Sequence, residues 1–84
     1  MKFEINFHQR VRNFLRKLDS TISIRIIKKI KSIANEPFRY LKHFESKNLY
    51  KLRIGDYRAL INVDIEHKIL LVQILDKRNR IYKR

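Results

Sequence analysis

Hydrophobic and polar residues alternate over residues 2–7. Phe3, Ile5 and Phe7 share one side, and Lys2, Glu4 and Asn6 the other, which predicts a strand with one buried face. The period then changes. Val11, Phe14, Leu15 and Leu18 fall at i, i+3, i+4 and i+7, a helix stripe with Arg10, Arg12, Arg16 and Lys17 lying off it. Asp19-Ser20 ends this helix and offers short side-chain oxygens to cap the next. Ile22, Ile26, Ile30 and Ile33, widened by Ile27 and Ala34, predict a second helix over residues 21–35. Isoleucine is only a fair helix former, but the spacing fits 3.6 rather than 2. Pro37 forbids continuation and drives Glu36 towards an extended backbone. Two helices so close in sequence form an αα-hairpin.

Residues 36–48 read as a loop with a short turn. Three strands follow, at Leu49–Ile54, 57–63 and 68–75. Gly55-Asp56 is a two-residue hairpin turn, glycine supplying positive φ. Residues 64–67 close the next hairpin. The expected fold is therefore α+β. One small domain over residues 1–84 would hold an N-terminal strand, an αα-hairpin and a three-stranded antiparallel meander, with the helices packed on one face of the sheet.

The turns set a register. About Gly55-Asp56, Ile54 faces Tyr57, Arg53 faces Arg58, Leu52 faces Ala59 and Lys51 faces Leu60. With Ile65-Glu66 at the second turn, Arg58 faces Gln73 and Ala59 faces Val72. Alternation then gives one apolar face, holding Tyr50, Leu52, Ile54, Tyr57, Ala59, Ile61, Val63, Leu70, Val72 and Ile74. The other face collects Lys51, Arg53, Arg58 and Gln73, grading into Leu60, Asn62, Ile69 and Leu71. Like charges opposed across strands are destabilising. On this register no carboxylate joins the set, so either the face is simply solvated or its counter-charge is a ligand. Arginine suits phosphate because its planar fork binds two oxygens at once.

Charge points the same way. The 84 residues carry a net charge of +13, with 44% hydrophobic content that argues against a disordered basic tail. A small basic domain meets an anion, and nucleic acid is the first candidate. The run Lys77-Arg78-Asn79-Arg80-Ile81-Tyr82 adds cations and a ring able to stack on a base. The absence of cysteine excludes disulfides and thiolate metal sites and fits a reducing, cytoplasmic setting. No apolar run approaches the roughly 20 residues of a membrane span, and residues 1–6 carry no secretory signal, so no membrane partner is expected. His8, His43 and His67 are scattered and read as surface residues without metal spacing. Asp64 and Glu66 read as turn chemistry. Clustered carboxylates for a two-metal nuclease and a glycine-rich phosphate loop are both missing from the sequence, so neither metal nor cofactor is expected.

Two segments carry a family resemblance that spans essentially the whole chain. Leu49-Tyr50-Lys51-Leu52-Arg53-Ile54-Gly55-Asp56-Tyr57-Arg58 resembles the basic strand, turn and Tyr-Arg pair of the RelE/ParE superfamily of toxins. Leu75-Asp76-Lys77-Arg78-Asn79-Arg80-Ile81-Tyr82 resembles that family's terminal Lys-Arg followed by tyrosine. The likeness is closest to an archaeal-type RelE. It implies a ribosome-dependent endoribonuclease, an mRNA interferase that cuts the codon in the ribosomal A site without a metal. A ribose 2′-OH attacks its own phosphate, leaving a 2′,3′-cyclic phosphate and a 5′-OH. By the same resemblance, Lys51 is the candidate base, Arg58 the stabiliser of phosphate charge, Arg78 an acid or phosphate ligand, and Tyr82 the stacking ring. Arg53, Gln73, Lys77 and Arg80 would bind RNA. The chain departs from many bacterial members at Leu49, where they carry a second lysine, and in the short spacing from Arg78 to Tyr82. Lys47 and Lys77 are the alternative carriers of that charge. The expected partners are a RelB-type antitoxin, the ribosome and mRNA. The alternatives are a ParE-type inhibitor of DNA gyrase on the same fold and a non-catalytic RNA-binding module.

Overall fold

A computed structural model describes residues 2–45 and 48–77. In chain order the elements are β1 (Glu4–Phe7), α1 (Gln9–Lys17), α2 (Ser20–Ser32), α3 (Pro37–Tyr40), β2 (Lys42–His43), β3 (Leu49–Ile54), β4 (Tyr57–Asp64) and β5 (Ile69–Lys77). The strands form one mixed sheet in the order β1-β5-β4-β3-β2. β1 runs parallel to β5, and the other neighbours are antiparallel.

The helix stripes are buried as the periodicity requires. Val11 and Leu15 of α1, Ile26 and Ile30 of α2, and Ile33 beyond it enclose one core. Leu52, Ile54, Ala59, Ile61, Val63, Leu70 and Val72 meet them from the sheet. His8 caps α1, its Nδ1 accepting from the Arg10 backbone N–H at 3.1 Å. Asp19 occupies the N-cap of α2 but its side chain makes no cap bond, contrary to expectation. Its carbonyl accepts from Ile22 and Ser23, while the Ser23 hydroxyl donates to the Leu15 carbonyl at 2.6 Å and staples the hairpin.

Residues 36–48 hold more structure than a loop. Pro37 starts the short α3 at its first position, where a missing N–H costs nothing. The two-residue strand β2 then pairs Lys42 with Lys51 and His43 with Tyr50. α2 ends at Ser32, short of residue 35, yet Ala34 stays buried and its carbonyl accepts from the Phe3 N–H at 2.9 Å.

The first hairpin has the expected register, including Arg53 opposite Arg58. The second does not. The turn spans four residues, since Asp64 pairs with Ile69, and Lys68 takes φ 56° to close it. The register then shifts between Leu60 and Ile61, leaving Gln73 as one extra residue in β5. Arg58 consequently faces Asp76 rather than Gln73, and Ala59 faces Leu75 rather than Val72. Leu75 is buried in place of Ile74, which turns to the opposite face beside Leu60.

Candidate nucleic-acid interface

The open face of the sheet is ordered into rows by its register. Arg53, Arg58 and Asp76 form one row across β3, β4 and β5. Lys42, Lys51, Leu60 and Ile74 form the next, from β2 to β5. Leu49, Asn62, Leu71 and Asn6 form a third, from β3 to β1. Polarity therefore changes along the strands. Four cations, Lys42, Lys51, Arg53 and Arg58, gather at the corner nearest the first hairpin turn, and apolar residues lie beyond.

Lys42 is the functional candidate that sequence reasoning missed. Nothing in a two-residue strand has a readable period, so its pairing with Lys51 is visible only in three dimensions. Lys51 also lies over the Phe44 ring, its Nζ 5.8 Å from the centroid. Arg53 is exposed, whereas Arg58 is half-buried with its Nε fully covered. A half-buried guanidinium is held in a fixed attitude and lends more electrostatic force to an anion than a solvated one.

The structure brings together Lys51, Arg53 and Arg58, but not all of the expected set. Gln73 sits at the bulge and opposes no residue of β4. Asp76 stands opposite Arg58 in its place, so the row has a carboxylate that the sequence register left out. Lys77 pairs with Tyr57 on the helix side of the sheet, beside Arg25 and Asp56. Arg78, Arg80 and Tyr82, with the alternative Lys47, lie outside the described residues.

Asp64 does turn chemistry, as expected, and its partner is the exposed His67. The Asp64 carboxylate accepts from the His67 backbone N–H at 3.1 Å and meets its Nδ1 at 2.8 Å. Those bonds, the backbone one foremost, hold the Asp64 carboxyl below the usual range. His43 is exposed on β2, its ring edge-on to Tyr50 with centroids 5.4 Å apart. Among the described residues no group of three or more His, Cys, Asp or Glu side chains is placed to hold a metal ion. No helix there is long and apolar enough to cross a membrane.

What this corner can do is bind a chain of phosphates and stabilise charge gathering on one of them. Comparison with known proteins bears on which chain that is. A search of curated proteins finds no match. Among solved structures, the toxin–antitoxin complex RelBE2 from Mycobacterium tuberculosis matches with a TM-score of 0.82 and 25% identity, covering 93% of this chain and all of that one. The intact RelBE complex of E. coli matches at 0.75 and 27% identity, with 89% and 95% coverage. The archaeal RelE–RelB complex from Pyrococcus horikoshii OT3 shares the fold at 0.81 and 24% identity, with 95% and 99% coverage. The family model described as the ParE toxin of the type II toxin–antitoxin system parDE matches residues 5–82. The chain belongs to this RelE/ParE family of type II toxin–antitoxin toxins.

Proposed function

We propose that this toxin is a ribosome-dependent endoribonuclease that acts in the cytoplasm and arrests translation by cutting mRNA in the A site. The observation that carries the reading is the corner of Lys42, Lys51, Arg53 and Arg58 on the open face. An enzyme that cleaves RNA through its own 2′-OH needs little beyond a base, an acid and fixed cations around one phosphate. The 2′-oxygen loses its proton to the base and bonds to phosphorus. The bond from phosphorus to the 5′-oxygen breaks, and that oxygen takes a proton. Lys51 would serve as base, and Arg58 would stabilise charge on the phosphoryl oxygens. Arg53 and Lys42 would hold neighbouring phosphates. Arg78 and Tyr82 keep the roles that the family resemblance implies, as acid and as stacking ring, with Arg80 beside them. Neither Gln73 nor Lys77 is part of the proposed cluster.

Primer extension on a defined mRNA, in a purified translation system with and without ribosomes, tests the reading. Cuts within the A-site codon are expected only when ribosomes are present. Arg58→Ala should lower their rate about 100–1,000-fold, the usual effect of losing one transition-state donor. Full activity in that variant would remove Arg58 from the mechanism.

The structural matches, all complexes with RelB in the cases above, support a RelB-type antitoxin as partner. Its acidic segments would meet the +13 surface at a rate enhanced by charge. A second reading, inhibition of DNA gyrase, is favoured by the ParE description of the matching family. A supercoiling assay with purified gyrase separates the two: inhibition without mRNA cuts would select it.

A further inference from the structure

The cationic surface does not stop at the sheet. β2 pairs only with Tyr50 and Lys51, so among the described residues no strand lies along the flank of β3 at Arg53 and Ile54. There α2 presents Arg25 and Lys29, four residues apart on one exposed side. With Arg53, Ile54 and Gly55 they line a groove of about 400 Å³. The Arg25 guanidinium lies over the hairpin turn, its Nη2 3.7 Å from where a Cβ on Gly55 would stand. The Lys29 ammonium lies 5.3 Å from the centroid of the exposed Tyr40 ring.

Like charges at i and i+4 on a helix oppose its formation. Here a third cation faces them across the groove and the lining holds no carboxylate. The ion pairs Arg39–Glu36 and His67–Asp64 involve none of the three. Asp56 belongs to the adjoining cavity, next to Lys77. Ile54, the one large apolar residue of the lining, is itself buried, so an amphipathic peptide would find no anchor there. A phosphodiester strand needs none. Arg53 lines this groove and also belongs to the open-face corner, so the two surfaces are continuous around the sheet edge.

We propose that the groove between α2 and the first hairpin is a second, non-catalytic phosphate site, in which Arg25 and Lys29 grip the RNA backbone as it leaves the open face past Arg53. The proposal rests on the ribonuclease reading and extends it from one phosphate to the path of the strand.

The test is fluorescence anisotropy with a labelled 12-nucleotide single-stranded RNA between 0.05 and 0.5 M KCl. The proteins are the wild type, the double variant Arg25→Gln/Lys29→Gln, and the matched control Arg12→Gln/Arg16→Gln. The control removes the same charge at the same spacing from exposed positions on α1. Each single-strand phosphate contact contributes about 0.7 to the slope of log K against log salt, so losing two should lower it by about 1.4. At 0.1 M salt that is roughly a 25-fold loss of affinity relative to 1 M. Circular dichroism confirms that each variant is folded. An unchanged slope for the α2 pair overturns the site, and so does an equal loss in the α1 control, which would leave only net charge. Normal RNA binding with loss of a co-purified antitoxin overturns it in favour of an acidic protein. If the wild type neither binds this RNA nor cuts mRNA on ribosomes, the ribonuclease reading fails as well. If it cuts normally and only the α2 result is negative, that reading stands alone.

Discussion

Arg53 and Arg58 face each other across the first hairpin, and this costs the fold something that can be measured. Directly opposed Cβ atoms lie about 5 Å apart, and two guanidinium groups splaying away from each other sit at about 6 Å. In water that separation is worth about 0.7 kcal/mol of repulsion. A Debye length of about 10 Å at 0.1 M salt reduces it to about 0.4 kcal/mol, and about 3 Å at 1 M leaves only about 0.1. Arg53→Gln keeps the stem and removes the charge, so it should stabilise the protein. For a chain of this size the unfolding entropy is about 0.18 kcal/mol/K, giving a rise in Tm of about 2 °C at 0.1 M NaCl and under about 1 °C at 1 M. Thermal unfolding followed by circular dichroism at both salts reads this directly. Arg16→Gln on α1 corrects for the lower net charge and should give a smaller rise. Asp76→Asn removes the carboxylate opposite Arg58 and should shift Tm the other way. The reasoning is refuted if Arg53→Gln lowers Tm, if its effect persists at 1 M salt, or if Arg16→Gln matches it. If it holds, a more stable variant that also cuts less mRNA would show that the cations are kept for a ligand rather than for the fold.

Other outcomes follow from the same geometry. Ile30 is fully buried at the centre of the core, so Ile30→Ala should cost about 2–5 kcal/mol in a urea melt; a loss under 1 would mean the core collapses around the gap. Gly55 has φ 58°, and the nearest group to an added Cβ is at ordinary contact distance. Gly55→Ala should therefore lose about 1–2 kcal/mol from backbone strain alone, and Gly55→Asn less, because asparagine tolerates this region; equal losses would place the cost elsewhere. The Asp64 carboxyl is held below its ordinary value of 3.8 by the His67 bonds. Its contribution is present above the unfolded pKa and vanishes as pH falls through the lower folded one. The Tm gap between wild type and Asp64→Asn should be widest above about pH 4 and close on acidification; a gap independent of pH would rule out the hydrogen bonds to the ionised carboxylate as its source.

Much of this fold was legible because the strongest signals were local. Gly55-Asp56 specified a two-residue turn, and from that turn every pair of the first hairpin followed, including the opposed arginines. The isoleucine stripe gave α2 despite its modest propensity, because burial against the sheet outweighs propensity. The second hairpin was not legible in the same way. Nothing between Asp64 and Ile69 marks a four-residue turn as strongly as glycine marks the first, and a lysine in the left-handed region is not an obvious turn residue. The shift at Gln73 has no sequence signature either. Together with the longer turn it let Asp76 replace Gln73 opposite Arg58, at the proposed site. β2 was missed because its two residues have no period and owe their conformation to β3 alone.

The extra residue at Gln73 acts as a half-period phase slip. Residues before it in β5 present one parity to the helices: Leu70 and Val72 are buried. After it the parity inverts, and Leu75 is the buried one. Deleting Gln73 would remove the bulge and run the ladder straight from Val72 to Ile74, leaving Leu75 buried and Asp76 opposite Arg58; keeping Gln73 in a regularly alternating strand would instead send Leu75 to solvent, drive Asp76 towards the core and carry Lys77 onto the basic face. The bulge thus absorbs the inserted residue and fixes the face of every position downstream of it in β5. A relative that lacks this residue keeps its last strand in the same phase, provided the gap is placed at Gln73; aligned without that gap, its charges are assigned to the wrong face.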